Sequence, residues 1–338
     1  MAQITLYAKS GITNWDTASP NGWNDQADGL GTDYANPQNG GGNTYICGLN
    51  GRAVTLNLDV TVDLVQGTTG TLTVSGTRVL TAAVTYSGTS TAGMVIVPTG
   101  TNLTINGLVT DSAAGYAIVT AGTAILTVTN VGATALSNTG AGRVITSAGT
   151  GAVIVTGNVV NSGTSWAVVC GSTSISHSLD GNIVANGASL SSGVWWQSAG
   201  VLTWTPQAGS AGAAVSGAGV TYGAMYAAGG TVTIDAALTT LEASTSTSTQ
   251  NAAVVAATGG TINYYGSFAL AINIECTLTM VNTGVLNLVL QSGAFTPLLL
   301  ANSGTFVVLR LGGTLRTATA GAGPAVITNQ STTSYAAI

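Results

Sequence analysis

Apolar and polar residues alternate in short bursts along most of this chain, and the bursts resemble one another. "TAGTAILTVTNVG" occupies 120–132, with relatives "GTLTVSGTRVL" at 70–80, "GTNLTING" at 100–107 and "GTGAVIVTGNVV" at 149–160. Two more, "GGTVTID" and "GGTINYYG", begin at 229 and 259. After the glycine, apolar residues fall at every second position: Leu72 and Val74, Leu103 and Ile105, Leu126 and Val128, Val232 and Ile234, Leu286 and Leu288. Thr, Asn or Ser fills most places between. Successive side chains of a strand point to opposite faces, so this pattern predicts half-buried strands, apolar inside and polar outside. A second apolar strand precedes many of these glycines, as in "MVIVPTG" at 94–100, "YAIVTAG" at 116–122, "RVITSAG" at 143–149, "WAVVCG" at 166–171 and "AAVVAATGG" at 252–260. No stretch has the 3.6-residue spacing of a capped amphipathic helix.

The opening glycines are Gly51, Gly70, Gly100, Gly122, Gly149, Gly171, Gly200, Gly230, Gly260, Gly284 and Gly304, at intervals of 19 to 30 residues with a mean near 25. A period of that length marks stacked units whose length variation lies in loops. The predicted unit is strand, glycine corner, strand, variable loop. One such unit buries too little to stand alone, whereas a stack buries a continuous core. The expected fold is therefore all-β: a right-handed parallel β-helix (β-solenoid) of about eleven irregular coils. Propeller blades need about 40 residues or more, which the period does not supply. Residues 46–312 are assigned to the β-helix. The differently composed segment 1–45 is expected to cap the first coil and attach the protein, and 313–338 to form the last coil and cap.

Composition supports this picture. The 338 residues are 45% hydrophobic and only 5% charged, with 47 glycines. A disordered chain is poor in apolar residues and rich in charge, the reverse of what is found. Like charges stacked at rung spacing repel, while Thr, Asn and Ser ladders can hydrogen-bond, so a stacked fold disfavours charge. The net charge of −5 with a single lysine, Lys9, argues against nucleic acid as a partner. Gly, Ser, Thr or Asn interrupts every apolar run before it reaches 18 residues, so no membrane insertion is expected. The start, "MAQITLYAKSG", reads as a strand rather than an export signal, which predicts synthesis in the cytoplasm.

Chemistry-bearing residues are sparse. Cys47, Cys170 and Cys276 are too far apart for a CxxC site and are read as buried free thiols. Asp25, Asp28 and Asp33 in "DQADGLGTD" suit either Asx turns or an oxygen-ligated cation; the spacing matches neither the EF-hand nor the nonapeptide loop, so no metal is assigned. Asp180, Asp235, Glu242 and Glu275 are scattered, and Asp180 and Asp235 would stand roughly 10 Å apart, two rung spacings. His177 is read as an outward ladder residue, with a pair to Asp180 as the alternative. No catalytic residue and no cofactor is assigned. Thr-x-Thr pairs such as 71/73, 127/129 and 231/233 suggest an ice-binding array, but that needs coils of constant length.

Trp166, Trp195, Trp196 and Trp204 fall within 39 residues. They either fill a widened coil or a subunit contact, or stack on sugar faces. Because Trp195 and Trp196 are adjacent on a strand, one should point inward and the other outward. Trp195, Trp196 and Trp204, with Trp15 and Trp23 of the opening segment, are the candidate contacts to a partner or carbohydrate.

The degenerate rung "G-T-x-x-V-x-V-x-G" over roughly 46–320 and the opener "NWDTASPNGWNDQADG" carry a resemblance. The chain resembles bacteriophage and bacterial β-helix surface proteins: virion decoration proteins, head fibres, tailspike shafts and adhesin passenger domains. The resemblance implies a non-enzymatic structural protein of a virus particle, located on the virion. It implies a homotrimer that contacts a capsid or tail protein. The alternative it leaves open is a tailspike or adhesin at the extracellular surface that binds or depolymerises host surface polysaccharide.

Overall fold

A computed structural model describes residues 2–40, 42–171, 176–186, 193–206 and 225–236, and beyond these the backbone of further strands between Ala213 and Ala337. Every regular element among the described residues is a β-strand. The chain divides into two compact units, Met1–Thr156 and Gly157–Ile338.

In the first unit, parallel strands stack in two sheets. One sheet runs from Ala2–Ala8 to Asn43–Gly48, then Val60–Gly67, Thr77–Tyr86, Asn102–Asn106 and Ile125–Asn138. The other runs from Ala53–Leu56 through Thr71–Val74, Val95–Val97, Tyr116–Thr120 and Arg143–Ser147. Register in the second sheet aligns Val54, Leu72, Val95, Ile118 and Ile145 in one column. All five side chains are buried. A comparable column in the first sheet holds Leu80, Ile105 and Val128. Parallel pairing places like residues one above another, so each aliphatic side chain packs against its counterparts and leaves water. Each is worth about 1.5–3 kcal/mol of burial.

The polar positions between them face outward and also stack. Thr55 aligns with Thr73, and Thr104 with Thr127. Gly70 shows why glycine opens a rung: its φ is +92°, and a Cβ there would stand 2.6 Å from the Arg52 carbonyl oxygen.

Two details differ from the sequence reading. The glycine-led runs do not all belong to one sheet: Thr71–Val74 pairs with Val95–Val97, whereas Asn102–Asn106 pairs with Ile125–Asn138. The same local alternation serves either sheet, so aligning glycines alone conflates them. The repeat also holds a third short strand. Val109–Asp111 pairs in parallel with the ends of Thr77–Tyr86 and Ile125–Asn138. With one inward valine it is too short to show alternation.

The second unit stacks in the same manner. Val168–Cys170, Trp195–Gln197, Met225–Ala227, Val254–Ala256 and Leu278–Met280 form one parallel series. Ser176–Asp180, Val201–Thr205, Thr231–Ala236, Thr261–Phe268, Val285–Phe295, Thr305–Arg310 and Ser334–Ala337 form another.

Candidate functional site

The tryptophans were the sequence's candidates for contact, and four of the five turn inward. Trp15 and Trp23 are fully buried, their ring centroids 4.7 Å apart. The Trp23 indole N–H donates to the Trp15 carbonyl oxygen at 2.9 Å, and that of Trp15 to the Pro37 carbonyl oxygen at 3.1 Å. Trp195 and Trp204 are also fully buried. Their N–H groups donate to Gln197 Oε1 at 2.9 Å and to the Gly181 carbonyl oxygen at 2.8 Å. With face and N–H both occupied inside the chain, these four rings offer nothing to a sugar or partner, and that reading is corrected.

Trp196 is the exception. Alternation turns Trp195 inward and leaves Trp196 half-buried on the outer face. Trp196 lies in register with Val169 on one side and Tyr226 on the other. Its ring meets Trp166 edge-on at 5.1 Å and Tyr226 at 4.8 Å, tilted by 47°. Trp166 and Tyr226 are only 4% and 9% exposed, so they are an aromatic clasp around Trp196 rather than a flat platform. Tyr226 was not singled out from the sequence. Its signal was present: it follows Trp196 by the interval that separates Gly200 from Gly230.

His177 overturns its expectation. It points inward, 1% exposed, in register with the buried Leu202. Its ring lies 6.4 Å from that of Trp195, and burial pulls its pKa down to about 4. It occupies a column otherwise filled by Leu202 and Val232, whereas Asp180 sits on the exposed face of the same strand. Asp180 is in register with Thr205, and Trp204 with Ile234, so Asp235 follows one position beyond on the next strand. The Asp235 side chain, Glu242, Glu275 and Cys276 lie outside the described residues.

Cys47 and Cys170 are buried free thiols, pushed well above the usual thiol range by desolvation. No group of three or more His, Cys, Asp or Glu that could hold a metal ion occurs among the described residues, nor does a helix long and apolar enough to cross a membrane.

The acidic opener is a hydrogen-bonded turn system. Asn24 Oδ1 accepts from the backbone N–H of Gln26 and Gly31, Asp25 Oδ1 from Thr32 and Asp28 Oδ1 from Leu30. Asp33 is bound by Lys9 Nζ at 2.6 Å and by Asn24 Nδ2 at 2.7 Å, which holds its carboxyl below the ordinary range.

The segment also closes the strand edges. Trp23–Asn24 pairs antiparallel with Ala2–Ala8, and Asp33–Tyr34 pairs antiparallel with Trp23–Asn24. Thr55 donates to the Thr13 carbonyl oxygen and accepts from the Trp15 N–H, so the edge of Ala53–Leu56 is satisfied too.

A further set of inward polar residues was invisible to the sequence reading. Asn138 and Asn161 each sit at a corner after a strand. Nδ2 of Asn138 donates to the Gly142 carbonyl oxygen at 3.2 Å, and Nδ2 of Asn161 to that of Ser165 at 2.7 Å. Asn161 Nδ2 also meets the Gly193 carbonyl oxygen. Tyr86 reaches the same relative position with its hydroxyl, which accepts from the Ser90 N–H at 2.8 Å. Thr120 Oγ1 donates to Ser147 Oγ at 2.9 Å in the column beside them. Asn138, Asn161 and Tyr86 each satisfy corner backbone that strand pairing leaves open, whereas Thr120 and Ser147 satisfy one another.

Comparison with family models, with curated proteins and with solved structures finds no match for this chain.

Proposed function

We propose that the protein is a non-enzymatic structural component of a virus particle, a phage decoration, fibre or tail element, folded as a right-handed parallel β-helix of about eleven coils. The observation that carries this reading is the in-register aliphatic column from Val54 to Ile145, beneath an end closed by the residues around Trp15 and Trp23. A column of that kind makes every coil depend on its neighbours and none on a ligand. The protein's work is then mechanical: a stiff, low-charge surface held away from an attachment point. The segment 1–45 is the part placed nearest the particle, because among the described residues it is the one that combines polar turns, ionised groups and a closed edge. Its partners are a capsid or tail protein and its own copies, in a homotrimer.

A second reading rests on Trp196. A half-buried ring held between Trp166 and Tyr226 can stack on one sugar face, which suits binding of host surface polysaccharide.

Light scattering of the isolated protein tests assembly. A mass about three times the 33.2 kDa chain is expected, and a single-chain mass across micromolar concentrations rejects the trimer. Incubation with host surface polysaccharide tests the non-enzymatic reading. The structural role predicts unchanged polymer viscosity. Rapid loss of viscosity that Asp180→Asn abolishes would overturn it.

A further inference from the structure

One corner breaks the chemical rule that its relatives keep. At Asn138 and Asn161 the side-chain oxygen accepts from the backbone N–H two residues on, Gly140 at 3.2 Å and Gly163 at 3.0 Å. The side-chain nitrogen donates to the carbonyl four residues on. Asp111 stands in register with Asn138 and is fully buried. Its Oδ1 accepts from Ala113, again two residues on, at 3.4 Å. Its Oδ2 therefore takes the place of the donating nitrogen, and it has no hydrogen-bond partner in the protein. A Cβ built on Gly142 would stand 2.5 Å from Asp111 Oδ2 and closer still to the Gly115 carbonyl oxygen, so both oxygens line the same small space. Gly115 is the residue four positions after Asp111. Two acceptors face each other where the other corners place a donor against an acceptor.

We infer that Asp111 is a proton-binding site: a proton from solvent water neutralises the carboxylate, and the resulting O–H donates to the Gly115 carbonyl as the amide does at Asn138 and Asn161. No bond other than the O–H is made. Gly115 O already accepts from the Arg143 N–H at 3.0 Å, and a carbonyl has a second lone pair for this donor.

Among the described residues no cation is ion-paired to Asp111. On the preceding strand the residue in register is Tyr86, whose hydroxyl is engaged with Ser90. Arg78, at the far end of that strand, donates to the Thr77 carbonyl oxygen. Ile125–Asn138 carries no titratable residue. Tyr116 and Arg143 belong to the two other strands packed here, and the Arg143 guanidinium lies 5.1 Å over the Tyr116 ring. Burial accordingly pushes the carboxyl up to about 7, against a small opposite pull from the Ala113 N–H.

Because the folded value lies above the unfolded one, the folded chain holds the proton between about pH 4 and pH 7 while the unfolded chain releases it. This contribution is fully present below the unfolded value and is lost as pH rises through that window. His177 acts in the opposite sense. It is neutral when buried, with a pKa of about 4, so its contribution is lost as pH falls below the ordinary histidine range.

Comparing Asp111→Asn with the native protein isolates the aspartate, since His177 is common to both. Denaturant unfolding is measured from pH 4.5 to pH 7.5. The two proteins should match closely at the acid end. The native unfolding constant should then rise relative to the variant by up to about tenfold per pH unit. A ratio that stays flat overturns the proposal. Carbon-13 NMR of native protein labelled at aspartate Cγ decides independently of the variant's folding. One of the nine aspartates should titrate near pH 7, and all nine titrating below pH 5 would overturn it.

Discussion

The opening segment and the strand columns that follow it solve opposite problems. The columns propagate. Each strand offers the next one the same backbone ladder and the same aliphatic face, as Leu72, Val95 and Ile118 show in succession. The opening segment terminates. It turns a strand antiparallel, sets Trp15 across Trp23, and places side-chain oxygens on N–H groups that no further strand will meet. Repetition needs few residue types and almost no charge; an end needs particular residues in particular places. That accounts for four of the chain's eleven acidic residues lying within the first 45 positions.

Removing residues 1–45 should break the comparison most severely. The edges of the remnant 46–48 and of Ala53–Leu56 then present unpaired N–H and C=O groups, and the remaining strands should fold but aggregate. Size-exclusion chromatography checks this, and a soluble, monodisperse product would contradict the capping role. A smaller effect is expected inside a column. Ile118→Ala leaves a cavity between Val95 and Ile145 and should cost about 2–5 kcal/mol in denaturant unfolding, with no aggregation of the folded state.

The smallest effect concerns the ion pair of the cap. Lys9 and Asn24 hold the Asp33 carboxyl low, so its contribution is present above the ordinary carboxylate range and is lost as pH falls through the folded value. Acid should therefore speed intrinsic-rate-corrected hydrogen exchange at Gly31 and Thr32, while the amide of Ile118 stays protected. Lys9→Met should weaken that acid dependence without changing global stability measurably.

The strands were legible because period-two alternation records which side chain faces which way. Parity also contained more than was drawn from it. In "SHSLD" an inward Leu179 forces His177 inward, and in "VLTWT" an inward Leu202 carries Trp204 with it. Trp15 and Trp23 lie outside any long alternating run, so their burial depends on a tertiary packing that no local pattern encodes. The corner at Asp111, Asn138 and Asn161 was hidden for a different reason. A single Asp or Asn after a strand has the same local sequence whether it turns to water or to a carbonyl inside.

The bulge within Ile125–Asn138 shows how the chain keeps count. Between the strands Asn102–Asn106 and Val109–Asp111 lie only residues 107–108. The partner strand resumes the same pairing at Leu136 after leaving it at Thr129, so residues 130–135 occupy that interval. The surplus is pushed outward, with Val131 76% exposed and Asn130 Nδ2 bound to the Thr134 carbonyl oxygen at 2.7 Å closing the bulge at its base. Pairing on both sides is unaffected. A single residue added within a paired stretch would invert every side chain beyond it, whereas residues added at this unpaired point leave the frame unchanged. Length is thus free to vary between paired stretches and fixed within them, which makes 131–133 a natural seam for insertions, a place where foreign peptide can be carried on the surface without disturbing the column beneath.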